Sequence, residues 1–370
     1  MNLFETAGSQ NIKLMSKSIT VQQNIQLAPL TTFKIGGKAR LFIKAETEEQ
    51  IIDAINFADE NKLEVFILGS GSNVLIADKV FDGLVVQVAN KGISAVKAKD
   101  KTFLVTAQAG EDWDEFVEYC VGKNLAGIEC LSGIPGLIGG TPIQNVGAYG
   151  QEVSETITSV RVFDRKSKSI LELTNTDCGF EYRCSIFNTT QKKRFIVLAV
   201  TYALEKNGKP KIIYKDLLNR FENCNPTLKE VRENVCKIRA EKAMLVRQGG
   251  LDSQSAGSFF KNPIIERADF IEIEKHLTKL KKLNKDEQIP SFAIDKNKIK
   301  IPAAWLIEKT GFHKGFKLGN AGLSTRHTLA LTNRGNATAD EILQLKNGIQ
   351  KKVFDLFGIK LIPEPDFINF

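Results

Sequence analysis

Apolar positions along this chain change their spacing repeatedly, and each change marks an element. "TTFKIGGKARLFIKA" (31–45) predicts two short strands around a Gly36–Gly37 turn. "IIDAINFADE" (51–60) carries its apolar residues at helical spacing, behind Thr47 and Gln50 as a capping box. "LEVFILGSGSNVLI" (63–76) predicts a buried strand running into a glycine loop. "GLVVQVAN" (83–90) and "FLVTAQAG" (103–110) predict further strands, and "DWDEFVEYCVGKN" (112–124) a helix. Farther on, "SVRVFDRKSKSILELT" (159–174) alternates on both sides of a polar turn, the pattern of a hairpin. "RFIVLAVTYAL" (194–204) is a strongly apolar strand.

Pro226 and the box Thr227–Glu230 open a helix to about Lys242, and a domain boundary is expected at its start. Helical spacing recurs at 268–284, at 302–311 and at 338–357. The last has Thr338 and Glu341 as its box and Gly358 as its stop. No repeat or low-complexity tract interrupts the series. Strands mixed with helices in this order predict α+β layers in two or three domains.

Composition narrows the class only a little. The 370 residues are 42% hydrophobic and 25% charged, ordinary for a folded domain. No stretch approaches the ~18–20 apolar residues of a membrane span. The opening "MNLFETAGSQNIKLMSKS" lacks an apolar h-region and has the composition of a polar, disordered extension. Cys120, Cys130, Cys178, Cys184, Cys224 and Cys236 form no C-x-x-C pair, and the histidines (His276, His313, His327) stand alone. That pattern argues against structural zinc and for a reducing, cytoplasmic setting. The net charge of +8 fits a nucleic-acid surface, a solvated basic face, or a pocket for phosphorylated or carboxylated ligands. No long basic block interleaved with aromatics favours the first.

The chemistry lies in the glycines. "GSGSNVLI" has Gly69 and Gly71, but Val74 stands where a dinucleotide fingerprint needs its third glycine. Neither this loop nor "LSGIPGLIGGTPIQNVGAYG" (131–150) ends in the G-K-[ST] of a P-loop. What remains is close backbone approach: without Cβ atoms, successive amides can converge on phosphate oxygens. Two such loops could hold the two phosphates of one dinucleotide.

"LGSGSNVLI", "GIPGLIGGTPIQNVGAYG", "FEYRCSIF" and "SAGSFFKNP", in this order, resemble the UDP-N-acetylenolpyruvoylglucosamine reductase family over residues 25–368. The resemblance implies an FAD-binding module of the PCMH/vanillyl-alcohol-oxidase type in two subdomains, plus a C-terminal α+β substrate-binding domain. The expected division is an extension over 1–24, a first subdomain over 25–90 joined by 350–370, a second over 91–226, and the substrate domain over 227–349. The implied reaction uses NADPH as co-substrate. FAD is reduced first, and the enolpyruvyl ether of the UDP-sugar is then reduced to UDP-N-acetylmuramate, a peptidoglycan precursor.

The resemblance also implies roles. Gly69, Ser70, Gly71, Ser72 and Asn73, with Gly133, Ile134, Pro135, Gly136, Gly139, Gly140 and Thr141, would hold the FAD pyrophosphate. Arg239 would stand on the flavin or phosphate side. Ser258 matches the proton donor, Arg183 the arginine facing the substrate carboxylate, and Glu364 the glutamate assisting Arg183 or the serine. After that glutamate the family commonly has a hydrophobic–basic pair, where this chain has Pro365 and Asp366. Tyr214 in "IIYKDLL" matches the tyrosine that closes over the UDP diphosphate in the longer, type I branch. Tyr149, Lys242, Asn262 and Lys300 match substrate-binding positions. The expected partners are small molecules, with no metal, nucleic acid or membrane, and the expected state is a monomer.

An alcohol or hydroxy-acid oxidase on the same flavin domain is the alternative enzyme. No histidine precedes His276, which excludes a histidine-linked flavin in the N-terminal half. A basic nucleotide- or nucleic-acid-binding protein without redox activity is the alternative outside enzymes.

Overall fold

A computed structural model describes residues 19–222, 224–245, 250–283 and 287–370. These group into two compact units. The first holds residues up to Gln26, Lys38–Gly71 and Val80–Ile238; the second holds Leu27–Gly37, Ser72–Lys79 and Arg239–Phe370. Of the expected N-terminal extension, residues 1–18 lie outside the described residues, and the strand Gln22–Gln26 begins inside its span.

In the first unit, Lys38–Ala45, Phe81–Val88 and Glu64–Leu68 form a parallel sheet, with Gln22–Gln26 antiparallel on its edge. Parallel neighbours need a crossover, and the helix Glu48–Glu60 provides it. Thr47 Oγ1 accepts the Gln50 amide at 3.1 Å, but the Gln50 side chain returns to the amide of Glu46, one residue upstream of the expected box partner. An antiparallel sheet orders Ser169–Thr174, Ile157–Asp164, Phe195–Lys206, Thr102–Gln108 and Ile93–Lys97. The expected hairpin is its first pair.

The helix Trp113–Gly122 supplies Trp113 and Phe116, whose rings pack with that of Tyr202 at centroid separations of 5.1–5.9 Å. Tyr202 is fully buried, and its hydroxyl meets Thr141 Oγ1 at 2.7 Å. A buried hydroxyl needs such a partner, so the core itself anchors the glycine segment.

The second unit packs the helices Arg267–Lys279, Ala303–Lys309 and Ala339–Phe357 against small antiparallel sheets around Phe33, Phe259, Leu306, Leu345 and Leu361. The strand Asp366–Ile368 runs parallel to Val74–Ile76 in the same unit. Thr338 and Glu341 make the expected box, and Gly358 at φ 68° ends the long helix.

Two expectations change. The span 31–45 contains only the strand Lys38–Ala45, because Thr31 Oγ1 bonds the carbonyls of Ala28 and Ile35 and bends the chain. Gly37 is therefore no hairpin turn. A Cβ there would lie 2.3 Å from the Lys79 carbonyl, so the residue permits a close backbone crossing. The helix expected over 268–284 stops at Lys279. Lys281, at φ 55°, turns the chain so that its amide reaches the Thr278 carbonyl and that of Lys282 the Leu277 carbonyl. That is a Schellman stop with a lysine in the glycine position. Asn284 lies outside the described residues.

Candidate active site

Both glycine loops meet in the first unit: Leu137 lies 3.7 Å from where a Gly69 Cβ would stand. Ser70 and Gly71 follow in this unit, while Ser72 and Asn73 belong to the second. The segment after Pro135 is laced to the sheet. Ile138 donates to the Glu111 carbonyl, Gly139 to that of Ala109, Gly140 to that of Leu137, and Thr141 to that of Ile138. The amides at 138–141 therefore hold the loop, whereas the glycine pattern had suggested an uninterrupted row of donors for phosphate.

Gly133 donates to Asp114, which Arg232 also engages. The amides of Ile134 and Gly136 make no hydrogen bond among the described residues. They flank Pro135, which has no amide hydrogen, and a Cβ on Gly140 would meet nothing within 4 Å. The Leu137 amide likewise makes no hydrogen bond among the described residues, and three available donors fit a phosphate-bearing cofactor such as FAD.

Arg183 is held by the other half of the same segment. Its Nη2 donates to the Gly147 carbonyl at 2.6 Å, and its guanidinium stacks over Tyr182 at 5.2 Å. Asn145 Nδ2 bonds Glu152 and the Glu181 carbonyl, while Ser185 Oγ bonds the Ile143 carbonyl. "FEYRCSIF" is thus tied to residues 143–147 along its length. Gly147 is small because Glu152, Gln151 and Arg183 Nη1 crowd its missing Cβ, at 2.7, 3.0 and 3.1 Å. Arg183 (φ 54°) and Tyr149 (φ 49°) both hold left-handed backbones, a strain that clusters at working sites.

Tyr149 and Tyr214 meet edge to face, with centroids 5.4 Å apart at 87°. Tyr214 stands immediately before the short helix Lys215–Arg220. Tyr149 packs beside Leu217, Val231 and Val235. The two tyrosines are therefore one aromatic feature, which separate motifs did not reveal.

In the second unit, Ser258 sits on a bulge. Ser255 pairs with Thr332, and the Phe259 amide bonds the Leu329 carbonyl at 2.8 Å. Ser255–Phe259 thus spans one residue more than Leu329–Thr332 opposite. Bulges re-aim side chains. Gly257, at φ 69°, makes this one, and among the described residues no atom lies within 4 Å of its added Cβ. Ser258 is half-buried between buried Ala256 and Phe259. On the other side, the Glu364 amide bonds the Phe259 carbonyl at 2.9 Å, and Asn73 Nδ2 bonds the Glu364 carbonyl at 3.3 Å. The fold thereby joins Asn73, Glu364 and the serine segment, which are far apart in sequence.

The remaining expected residues are spread through this unit. Asn262 Oδ1 takes the Ala303 amide at 2.9 Å, a helix-starting role that the motif reading missed. Arg239 is 8% exposed and donates to the Met244 carbonyl at 2.9 Å. Lys300 ends the strand Lys298–Lys300. Lys242 acts electrostatically on His327, a residue that carried no signal as a lone histidine. Burial, then Lys242 and Lys314, push His327 down to about 4, so its ring is neutral near pH 7. Its Nδ1 accepts the Leu329 amide at 3.1 Å, which leaves the ring proton on Nε2.

Among the described residues no cluster of histidine, cysteine, aspartate and glutamate could hold a metal, and no helix is long and apolar enough to cross a membrane.

Known proteins are similar to this chain. Residues 39–173 match the FAD binding domain description, and residues 249–368 match the C-terminal domain of UDP-N-acetylenolpyruvoylglucosamine reductase. The UDP-N-acetylenolpyruvoylglucosamine reductase of Saccharopolyspora erythraea is 40% identical over 93% of this chain and 94% of its own. That of Thermobifida fusca is 38% identical over 94% and 98%. A solved UDP-N-acetylenolpyruvylglucosamine reductase from Thermus caldophilus is similar in fold, with a TM-score of 0.63 at 22% identity, over 95% of this chain and 98% of that one. The C-terminal match takes in Ser258, Asn262, Lys300 and Glu364, and the relatives match nearly end to end. The chain therefore belongs to the UDP-N-acetylenolpyruvoylglucosamine reductase family.

Proposed function

We infer that this chain reduces the enolpyruvyl ether of UDP-N-acetylglucosamine to UDP-N-acetylmuramate, with FAD as cofactor and NADPH as reductant. The observation that carries the reading is the family relationship at about 40% identity over nearly the whole chain. The same observation speaks against the oxidase alternative and against a binding protein without redox activity.

When bound, FAD supplies a two-electron relay that accepts a hydride equivalent from NADPH and delivers it to one alkene carbon. The balance is closed by one proton added to the other alkene carbon, giving a lactyl ether and NADP⁺.

The chain's own residues are assigned the rest. Ser258 Oγ, presented by its bulge, gives that proton. A serine hydroxyl is a weak acid and protonates only a strongly basic, enolate-like carbon. Arg183 offers a permanently charged fork to the carboxylate that becomes the enolate, and its bond to Gly147 aims that fork. Glu364 supports the serine's proton supply, consistent with its backbone bond to Phe259.

Ile134 and Gly136 amides, with Gly69 and the open face at Gly140, receive the cofactor's phosphates. Ser70, Gly71, Ser72, Asn73, Gly133, Pro135, Gly139, Thr141 and Arg239 shape that reception. The Tyr149–Tyr214 pair, Lys242, Asn262 and Lys300 bind the sugar nucleotide. In this reading the enzyme is a cytoplasmic monomer acting on small molecules.

The test is direct. Purified protein mixed with NADPH and the UDP-enolpyruvyl sugar should oxidise NADPH only when the sugar is present, read from its absorbance. No sugar-dependent oxidation by flavin-loaded protein overturns the reading.

A further inference from the structure

The serine segment is gripped well before it reaches Ser258. Asp252, in the short turn Leu251–Ser253, accepts Arg334 Nη1 at 2.6 Å and the Thr325 amide at 3.0 Å on Oδ1, and the Thr325 hydroxyl on Oδ2. The side chains of Arg334 and Asp252 are only 12% and 19% exposed. Among the described residues, Arg334 Nε is buried without a hydrogen-bond partner. A charge removed from water and only partly satisfied is costly, so this pair is a poor candidate for a mere surface ornament.

Its location shows what it can do. Thr325 and Arg334 lie on either side of the strand Leu331–Asn333, and one carboxylate therefore bridges both flanks of it. Beyond Asp252 the register runs through the bond from the Asn333 amide to the Gln254 carbonyl and the pairing of Ser255 with Thr332. The bulge follows, and the Phe259–Leu329 bond closes it. A slip at Asp252 would pass directly into the bulge, whose glycine sets the aim of Ser258.

We propose that Asp252, held by Arg334 and Thr325, is a positioning residue for Ser258 in the proton-delivering half of the reaction. This rests on the reading of Ser258 as proton donor. Asp252 touches neither substrate nor cofactor in this role; it fixes the register from which the hydroxyl is presented.

Stopped-flow measurement of the flavin spectrum in the holoenzyme separates the two halves. Asp252→Asn should leave flavin reduction by NADPH near the parent rate and slow reoxidation by the UDP-enolpyruvyl sugar by about tenfold or more, the size expected of a misplaced group. Placed in the Ser258→Ala background, it should leave the residual reoxidation rate unchanged. If Ser258→Ala selectively blocks reoxidation while Asp252→Asn slows neither half, or both equally, the positioning role is overturned and the serine reading stands. If Ser258→Ala reoxidises at the parent rate, the serine reading itself fails. Should Asp252→Asn not retain flavin, Thr325→Val carries the test, because it keeps the ion pair and loses only the hydroxyl bond. It should slow reoxidation selectively, with Thr325→Ser restoring the rate. Parent-like reoxidation in Thr325→Val overturns the proposal.

Discussion

Arg183 Nη2 lies 2.6 Å from the carbonyl of Gly147, so the glycine segment proposed to receive the cofactor also holds the arginine assigned to the substrate. Gly147→Ala would force the arginine, Glu152 or the backbone to move. The expected result is retained flavin and a reoxidation rate reduced about tenfold or more, measured by stopped flow. A parent-like rate would show that the bond does not set the arginine's aim.

Ser258→Ala removes the assigned acid while leaving Gly257 and the flanking phenylalanines in place. Flavin reduction by NADPH should persist. Reoxidation by the sugar should drop about a hundredfold or more, the range for loss of a general acid. Equal loss in both half-reactions would make Ser258 a structural residue.

Gly257→Ala tests the bulge itself. An added methyl meets nothing within 4 Å, so the cost is conformational: a non-glycine residue at φ 69°. Stability should fall by about 1 kcal/mol, read from urea unfolding. Reoxidation should slow more than flavin reduction, because the strain is relieved by moving Ser258. Unchanged stability would mean that the bulge tolerates other backbones.

His327 predicts a pH dependence of stability. Its folded value is lowered from 6.5 to about 4 by burial and by Lys242 and Lys314. Between those limits the unfolded chain binds a proton that the folded chain refuses, so folding stability falls as pH drops from 6.5 to about 4. The full effect is on the order of 3 kcal/mol. Urea titrations across this window should show the decline in the parent and a flatter profile in His327→Gln. Parallel profiles would exclude His327 as its source.

Much of the architecture is legible in the chain because it depends on neighbours a few residues apart. Thr338 with Glu341, Thr227 with Glu230, and the apolar spacing of 51–60 each settle a helix locally. The alternating run at 159–174 settles its hairpin in the same way. The motif order from Gly69 to Glu364 was enough to indicate the family and the chemistry. Even the errors were local in kind: periodicity continued past Lys279, but it has no term for a lysine turning left-handed at 281.

What tertiary structure alone decided is where the polar groups are spent. Two amides of the glycine loop went to Glu111 and Ala109, and those of Ile134, Gly136 and Leu137 are left as donors among the described residues. Asn262 took up a helix start, and Tyr149 found Tyr214. The same holds for the bulge under Ser258, the Glu364–Phe259 bond and the Asp252–Arg334 pair. Each joins residues tens or hundreds of positions apart. A hydrogen bond is satisfied at about 3 Å whatever the separation in sequence, so the pattern along the chain carries the chemical types and the folded chain assigns their partners.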